Sequence, residues 1–483
     1  MSAPLLWIIL PGAIGVILFL FRSYPRFVRV MGLLMSAWLW MTAALLPIGE
    51  VVSLAGRVFV VGESLSFLGR EFIFVNSDRP FLALLFFAQL IWLFGAIPAR
   101  PQKEFLPFSF IILALLTAAL AVEPFLYAAL LIEIVVLISV PLLSPPDKKP
   151  GKGIFRFLAF QTFGMPFILI SGRFLAGLEA SPGQTEFVLR AGVFIGIGFA
   201  FLLAVVPFHT WIPSLAEESE PYTLAFILFI LPMLITVFGL GFIDRFIWLR
   251  GNPQVYLGLQ LIGMLMVLVG GVWASVETHL GRMLGFAVIV ENGMSLLAIG
   301  VGGPEGVLLF FWLTFVRLFS IVLWAAALSY LNQETQGELS FAKLHGVGHI
   351  YPLVSIGMVV AQFSLSGIPL LAGFSARLSL WRQLAPAAPV TAVMVLLGSI
   401  GLLLGAIRTL NVLFVSLPHL DADRLDSAVG IVGQDGRLIS ERLLEWSLFG
   451  LYVVVLVSLG LLPGVYLPVL ERLLLIFNQI GGG

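Results

Sequence analysis

The chain has no cysteine, which excludes disulfides, thiolate-bound metals and iron–sulfur clusters held by its own side chains. No cofactor is therefore expected in this chain. Charge is scarce as well: only 11% of the 483 residues are acidic or basic, and 26 acids balance 26 bases. That balance leaves no polybasic face for nucleic acid or for a peripheral role on a membrane surface. What fills the space is apolar, with 60% hydrophobic residues and a mean hydropathy of +1.08. Both figures lie far outside the range of soluble domains and describe an integral, multi-pass membrane protein.

A hydrocarbon core about 30 Å thick needs roughly 20 apolar residues per spanning helix, and the sequence offers about fourteen such stretches. They centre near Leu10, Trp38, Phe87, Leu115, Leu131, Phe167, Gly198, Leu231, Leu265, Val290, Leu318, Val360, Val395 and Val455. Long apolar runs in lipid must be helices, because backbone amides find no water there; a barrel would show short alternating strands. The expected fold is all-α, a polytopic transmembrane helical bundle. The first run follows Met1, Ser2 and Ala3 without a basic leader or a cleavage site, so it reads as a retained helix.

Arg22, Arg26 and Arg29 follow the first span, Arg100 and Lys103 the third, and Lys148, Lys149, Lys152 and Arg156 the fifth. The positive-inside rule makes those loops cytoplasmic and turns both termini outward. The chain divides into N-terminal helices over 1–104, a core over 105–416, a polar loop over 417–446 and a C-terminal helix and tail over 447–483. Within the first part, Gly49 to Arg79 alternates apolar and polar residues, as a short hairpin on the outer face would. The acids of the 417–446 loop lack the oxygen-ligand spacing of a calcium site.

Ionisable residues inside spans cost about 2.5 to 3.5 kcal/mol each at mid-helix, so each requires a partner or a use. Six qualify: Glu133, His209, Glu291, Arg317, Arg377 and Arg408. Glu133, isolated in AALLIEIVVLIS, reads as a proton-relay carboxylate or as the structural partner of an arginine on a neighbouring helix. His209 stands between Pro207 and Pro213, where missing backbone donors open the helix and an imidazole could exchange protons near neutrality or cap a helix end. Three glutamates follow at once, Glu217, Glu218 and Glu220, as at a broken helix beside an ion path. Gly367, Pro369 and Gly373 interrupt a second apolar run just before Arg377. Two broken helices in one chain are the pattern of inverted-repeat transporters. Arg317 can hold an anion but cannot relay a proton, and Glu291 is its best partner by charge. His345 and His349 have metal-ligand spacing, but the glycines between them and the absence of an adjacent carboxylate argue against a metal.

VVPFHTWIPSLAEESEPYT and GIPLLAGFSARLSLW resemble two motifs of one family: the antiporter-like membrane subunits of respiratory complex I, Mrp-type cation/proton antiporters and membrane-bound hydrogenases. EPFLYAALLIE, GRMLGFAVIVENGMSLLAIG and FAKLHGVGHIYPLVSIGMVVAQFSLSGIP extend the similarity from about Ile111 to Phe414. The resemblance implies a proton path through Glu133, a lysine in the first broken helix, a central lysine and a lysine or acid in the second. This chain departs from it. Leu202 stands where the first lysine would be, the segment around Leu231 is apolar where another would be expected, and Arg317 and Arg377 occupy the later positions. Glu291 replaces a usual histidine or glutamine. Glu133, His209, Glu291, Arg317 and Arg377 are thus the candidate proton path or its electrostatic partners. The implied function is a subunit of a complex I type, redox-driven, proton-translocating assembly resembling NADH:quinone oxidoreductase, with a degenerate lysine relay and no redox site of its own. Its partners would be other membrane subunits, the bilayer, protons and, through neighbouring subunits, quinone, in the cytoplasmic membrane of a prokaryote. The alternatives are an Mrp-type antiporter subunit and a membrane scaffold that has lost transport.

Overall fold

A computed structural model describes residues 2–481 apart from 55–56, 145–149, 181–184, 336 and 416–438. Lys148, Lys149 and most of the polar loop expected over 417–446 lie outside the described residues. The long helices are α1 Leu10–Leu20, α2 Pro25–Leu45, α3 Arg79–Ala99, α4 Phe105–Ala121, α5 Ala128–Leu143, α6 Lys152–Ala180 and α7 Thr185–Leu202. There follow α8 Trp211–Glu218, α9 Pro221–Arg245, α10 Pro253–Val276, α11 Leu280–Val301, α12 Gly303–Glu334 and α13 Pro352–Ser366. The last are α14 Ala372–Ala387, α15 Pro389–Phe414, α16 Ile439–Leu461 and α17 Pro463–Glu471. Every apolar centre read from the sequence falls inside one of these helices, and ten of the described helices are long and apolar enough to cross a membrane alone. The chain is an integral, multi-pass membrane protein of helical-bundle fold.

Burial is uneven in a way that locates the core. Most of α9, α11 and α12 is buried on every side, whereas α2, α10 and α16 keep one face open to lipid. An element apolar all round belongs at the centre of a bundle.

The two broken helices end by the same local device. After α7 the N–H of Val205 bonds the carbonyl of Ala200 and that of Ala204 bonds Phe201, with Ala204 left-handed at φ 52°. After α13 the N–H of Ile368 bonds Phe363 and that of Gly367 bonds Ser364, with Gly367 at φ 83°. Both closures are Schellman motifs, each followed within a few residues by a proline that cannot resume the helix. Glycine adopts that backbone without strain; Ala204 does so against the steric preference of an L side chain.

The two ends of the bundle are identified by contacts between loops. At one, Arg22 pairs with Glu104, Arg282 with Glu217, and the N–H of Gly153 with the carboxylate of Glu218. Arg100 and Glu445 form a close ion pair at this same end. At the other, Arg245 pairs with Glu123, and Asp244 accepts the backbone N–H groups of Gln479 and Ile480. The extramembrane segment there differs from the expected single hairpin. It holds two, β1 Val51–Leu54 with β2 Arg57–Val60 and β3 Ser64–Phe67 with β4 Arg70–Ile73; β4 also pairs with β5, Val122–Glu123. Positive φ at Leu68 and Gly69 makes the tight turn between β3 and β4, while the alternating run is split earlier, between Val60 and Ser64.

Candidate functional site: a polar axis through the bundle

Among the buried polar side chains, one group gathers around the two helix breaks and the charged residues between them. On α5, Glu133 accepts a hydrogen bond from the Thr162 hydroxyl on α6 at 2.7 Å. Among the described residues it has no arginine partner, so the structural-pair reading of Glu133 finds no support. The next residue on α6, Gln161, donates its amide to the carbonyl of Leu202 at 3.1 Å. That carbonyl is free because α7 stops there.

Between the break and the bundle centre lies a small cavity of about 10 Å³, bordered by Gln161, Leu202, Leu231, Pro232 and Asn292 among others. Its volume is about that of one water probe. Gln161 Oε1 and Asn292 Nδ2 are buried beside it without a protein partner. Leu202, where the resemblance implies a lysine, and Leu231, in the apolar segment where it implies another, both line this space.

Beyond the cavity, Arg317 on α12 donates to Asn292 Oδ1 at 3.4 Å and to Ser295 Oγ at 3.5 Å, with the ring of Phe229 5.3 Å away. One turn further along α12, the Ser320 hydroxyl donates to Ser364 at 2.8 Å, and Ser364 Oγ accepts the N–H of Gly373 at 3.3 Å, bridging the halves of the second broken helix. Arg377, on the second half, binds Glu291 directly and donates to Ser399 at 3.1 Å. The Arg377 and Glu291 side chains are 8% and 4% exposed.

The carboxylate of Glu291 therefore makes its direct contact with Arg377; Arg317, expected to be its partner, feels its charge but reaches the next residues of α11 instead. The helical rotation explains the exchange, since Asn292 and Ser295 occupy a face of α11 adjoining that of Glu291. One carboxylate is shared electrostatically by two buried guanidiniums.

The other candidates stand apart. His209 sits on a single 3₁₀ turn, Phe208–Thr210, half-buried, with Nδ1 unpartnered; no described hydrogen bond joins it to Glu133. The glutamates after it are absorbed locally. Glu220 caps α9 by accepting from Tyr222 and Thr223, and Glu217 and Glu218 hold Arg282 and Gly153. Arg408 caps the carboxyl end of α10, donating to the carbonyls of Ser275 and Glu277 at 2.6 and 3.0 Å. His345 and His349 are separated by Gly346 at φ 75°, and His349 Nε2 lies 3.0 Å from the carbonyl of Phe414. Gln161, Thr162, Asn292, Ser295, Ser320, Ser364 and Ser399 were missed by the search for charges. Their signal was a small polar residue inside an apolar run, most visibly the Gln-Thr pair in FRFLAFQTFG.

The family model described as NADH:quinone oxidoreductase/Mrp antiporter, TM matches residues 174–405, from α6 into α15, and so takes in both breaks and the arginine–glutamate cluster. Over that stretch, slightly less than half of its length, the chain is similar to that family. Among curated relatives, NADH-quinone oxidoreductase subunit N 2 of Solidesulfovibrio magneticus is 25% identical over 70% of this chain and 75% of its own length. Subunit N of Rhodospirillum rubrum is 30% identical over 41% of each chain. Solved structures share the fold along the whole chain. A chain of the Mrp complex from Dietzia sp. superposes with a TM-score of 0.77 at 17% identity, covering 99% of this chain and 97% of that one. A chain of respiratory complex I from Thermus thermophilus gives 0.71 at 20% identity, covering 100% and 99%. By these likenesses the chain is an antiporter-like membrane subunit of the complex I or Mrp kind, and its structural counterparts are chains of multisubunit membrane complexes.

Proposed function

We propose that this chain serves a redox-driven, complex I type assembly in the cytoplasmic membrane of a prokaryote, and that it takes part in proton translocation along the polar axis without a lysine relay. The observation that carries this reading is the buried cluster of Glu291, Arg377 and Arg317, which sets fixed positive charge around one titratable group. Guanidinium groups do not give up protons at physiological pH. The titratable members are then Glu133 at one end and Glu291 at the other, with His209 at the first break, and hydroxyls, amides and water between them. A proton arriving at Glu291 cancels its attraction to Arg377 and releases the second half of the broken helix; its departure restores the pair. The arginines act as electrostatic latches in this scheme, and Glu133 loads or unloads the axis.

The test is Glu133→Gln in the native assembly, followed by proton uptake into inverted membrane vesicles driven by the parent complex. Coupled uptake is expected to fall at least several-fold. Full uptake with the neutral isostere would instead support a scaffold that has lost transport. A second reading is a cation/proton antiporter subunit, because the matching family model takes in both kinds of protein. Native-gel mass spectrometry separates the two: the first predicts comigrating iron–sulfur or flavin subunits and quinone-dependent activity, the second membrane subunits alone and cation-dependent flux.

A further inference from the structure

We propose that the cleft between α2, α3 and the C-terminal segment binds an anionic phospholipid, with one acyl chain inside and the phosphate at Arg472 and Arg79. The cleft holds about 660 Å³ and is walled by Trp40, Ala83, Phe87, Phe315, Tyr466 and Leu470. Its depth suits an acyl chain. At 1.5 Å per residue, Phe87 lies about 12 Å along α3 from Arg79, and Phe315 about 18 Å along α12 from its first residue. That reach approximates one leaflet, half of a hydrocarbon core about 30 Å thick.

Charge at the mouth selects the headgroup. Arg472 is exposed, and its side chain makes no hydrogen bond or ion pair among the described residues. Arg79 gives its terminal nitrogens to Asn76 Oδ1 and the Ala44 carbonyl, leaving Nε unpartnered. Glu50 partly offsets Arg79 but is itself engaged by the Asn76 amide at 2.9 Å, and Glu471 stands exposed next to Arg472 in the chain. The tyrosine of the wall is fixed in place, its hydroxyl accepting from Trp312 Nε1 at 3.0 Å. On the C-terminal segment Val465, Val469 and Leu475 are 73%, 63% and 59% exposed, as residues turned toward lipid would be.

The full-length protein, purified in mild detergent and stripped of lipid, is to be titrated with phosphatidylglycerol and phosphatidylcholine and read by native mass spectrometry. Wild type is expected to retain phosphatidylglycerol preferentially. Arg472→Gln should lower that preference about fivefold, the contribution of one basic residue near a headgroup. Ala83→Phe, which fills the cleft, should displace both lipids. Equal retention of the two lipids by wild type, or an undiminished preference in Arg472→Gln, overturns the proposal. A photoreactive residue in place of Val469, activated in native membranes, names the occupant independently. A lipid adduct supports the proposal, and a cross-link to another protein chain overturns it.

Discussion

Replacing Glu291 with glutamine keeps the shape of the side chain and removes the only carboxylate that serves Arg377 and Arg317 among the described residues. Two guanidiniums would then remain in a site where Arg377 is 8% exposed and Arg317 is 2% exposed. Breaking a buried pair from one side costs about 3–5 kcal/mol, because the remaining charge keeps its desolvation cost and loses its attraction. Arg377→Met is milder. It strands Glu291 for the moment, but Arg317 already contacts the adjoining residues of α11 and can turn to the vacated carboxylate, so we expect about 1–3 kcal/mol. Combining the two substitutions removes one charge of each sign and should restore about 2 kcal/mol relative to their sum. The assay is reversible unfolding of the four proteins in mixed detergent micelles. If Arg377→Met were the costlier single change, or if the two effects simply added, the account of one carboxylate shared by two arginines would be refuted.

The helix breaks give a paired prediction: Ala204→Gly should stabilise the protein by about 0.5–1 kcal/mol by relieving left-handed strain, whereas Gly367→Ala should cost about 1–2 kcal/mol. The added Cβ of the latter also approaches Arg377 Cδ at 2.9 Å; thermal unfolding of each variant reads both. Arg408→Ala should lose about 1–2 kcal/mol, since it frees two carbonyls at the end of α10, and Arg408→Lys should recover only part of it in the same measurement. His279, in the loop before α11, is held below its ordinary pKa of 6.5 mainly by burial, against the opposing pull of Glu217 and Glu277. Its neutral ring accepts the N–H of Arg282. Its contribution to stability is therefore present above about pH 6.5 and lost as pH falls through the lowered folded value; comparing unfolding at pH 7.5 and 5.5 in wild type and His279→Asn should show a smaller acid loss in the variant.

Helix placement was readable from the sequence because apolar length is a local property: a run of about 20 apolar residues in lipid has no other way to satisfy its backbone. The breaks were readable for a related reason, since Pro207 and Pro213, and Gly367 and Pro369, act on the backbone where they stand. The partner of Glu291 was not readable. Both arginines had the right charge, and the choice between them depends on which face of α11 meets α14 and which meets α12. The two hairpins were merged into one because their residues alternate alike; what divides them is the break in strand between Val60 and Ser64, and only the second sheet takes in Val122–Glu123.

By itself, the sequence determined a lipid-embedded helical bundle with two interruptions, and it determined which few side chains would be costly to bury. The tertiary structure decided which of those side chains meet. It paired Glu133 with Thr162, Gln161 with the open carbonyl of Leu202, Arg317 with Asn292 and Ser295, and Arg377 with Glu291 and Ser399, while setting His209 aside. Composition and periodicity act along the chain, but a hydrogen bond of about 3 Å between helices requires a particular rotation and offset of both, and packing of the whole bundle sets these.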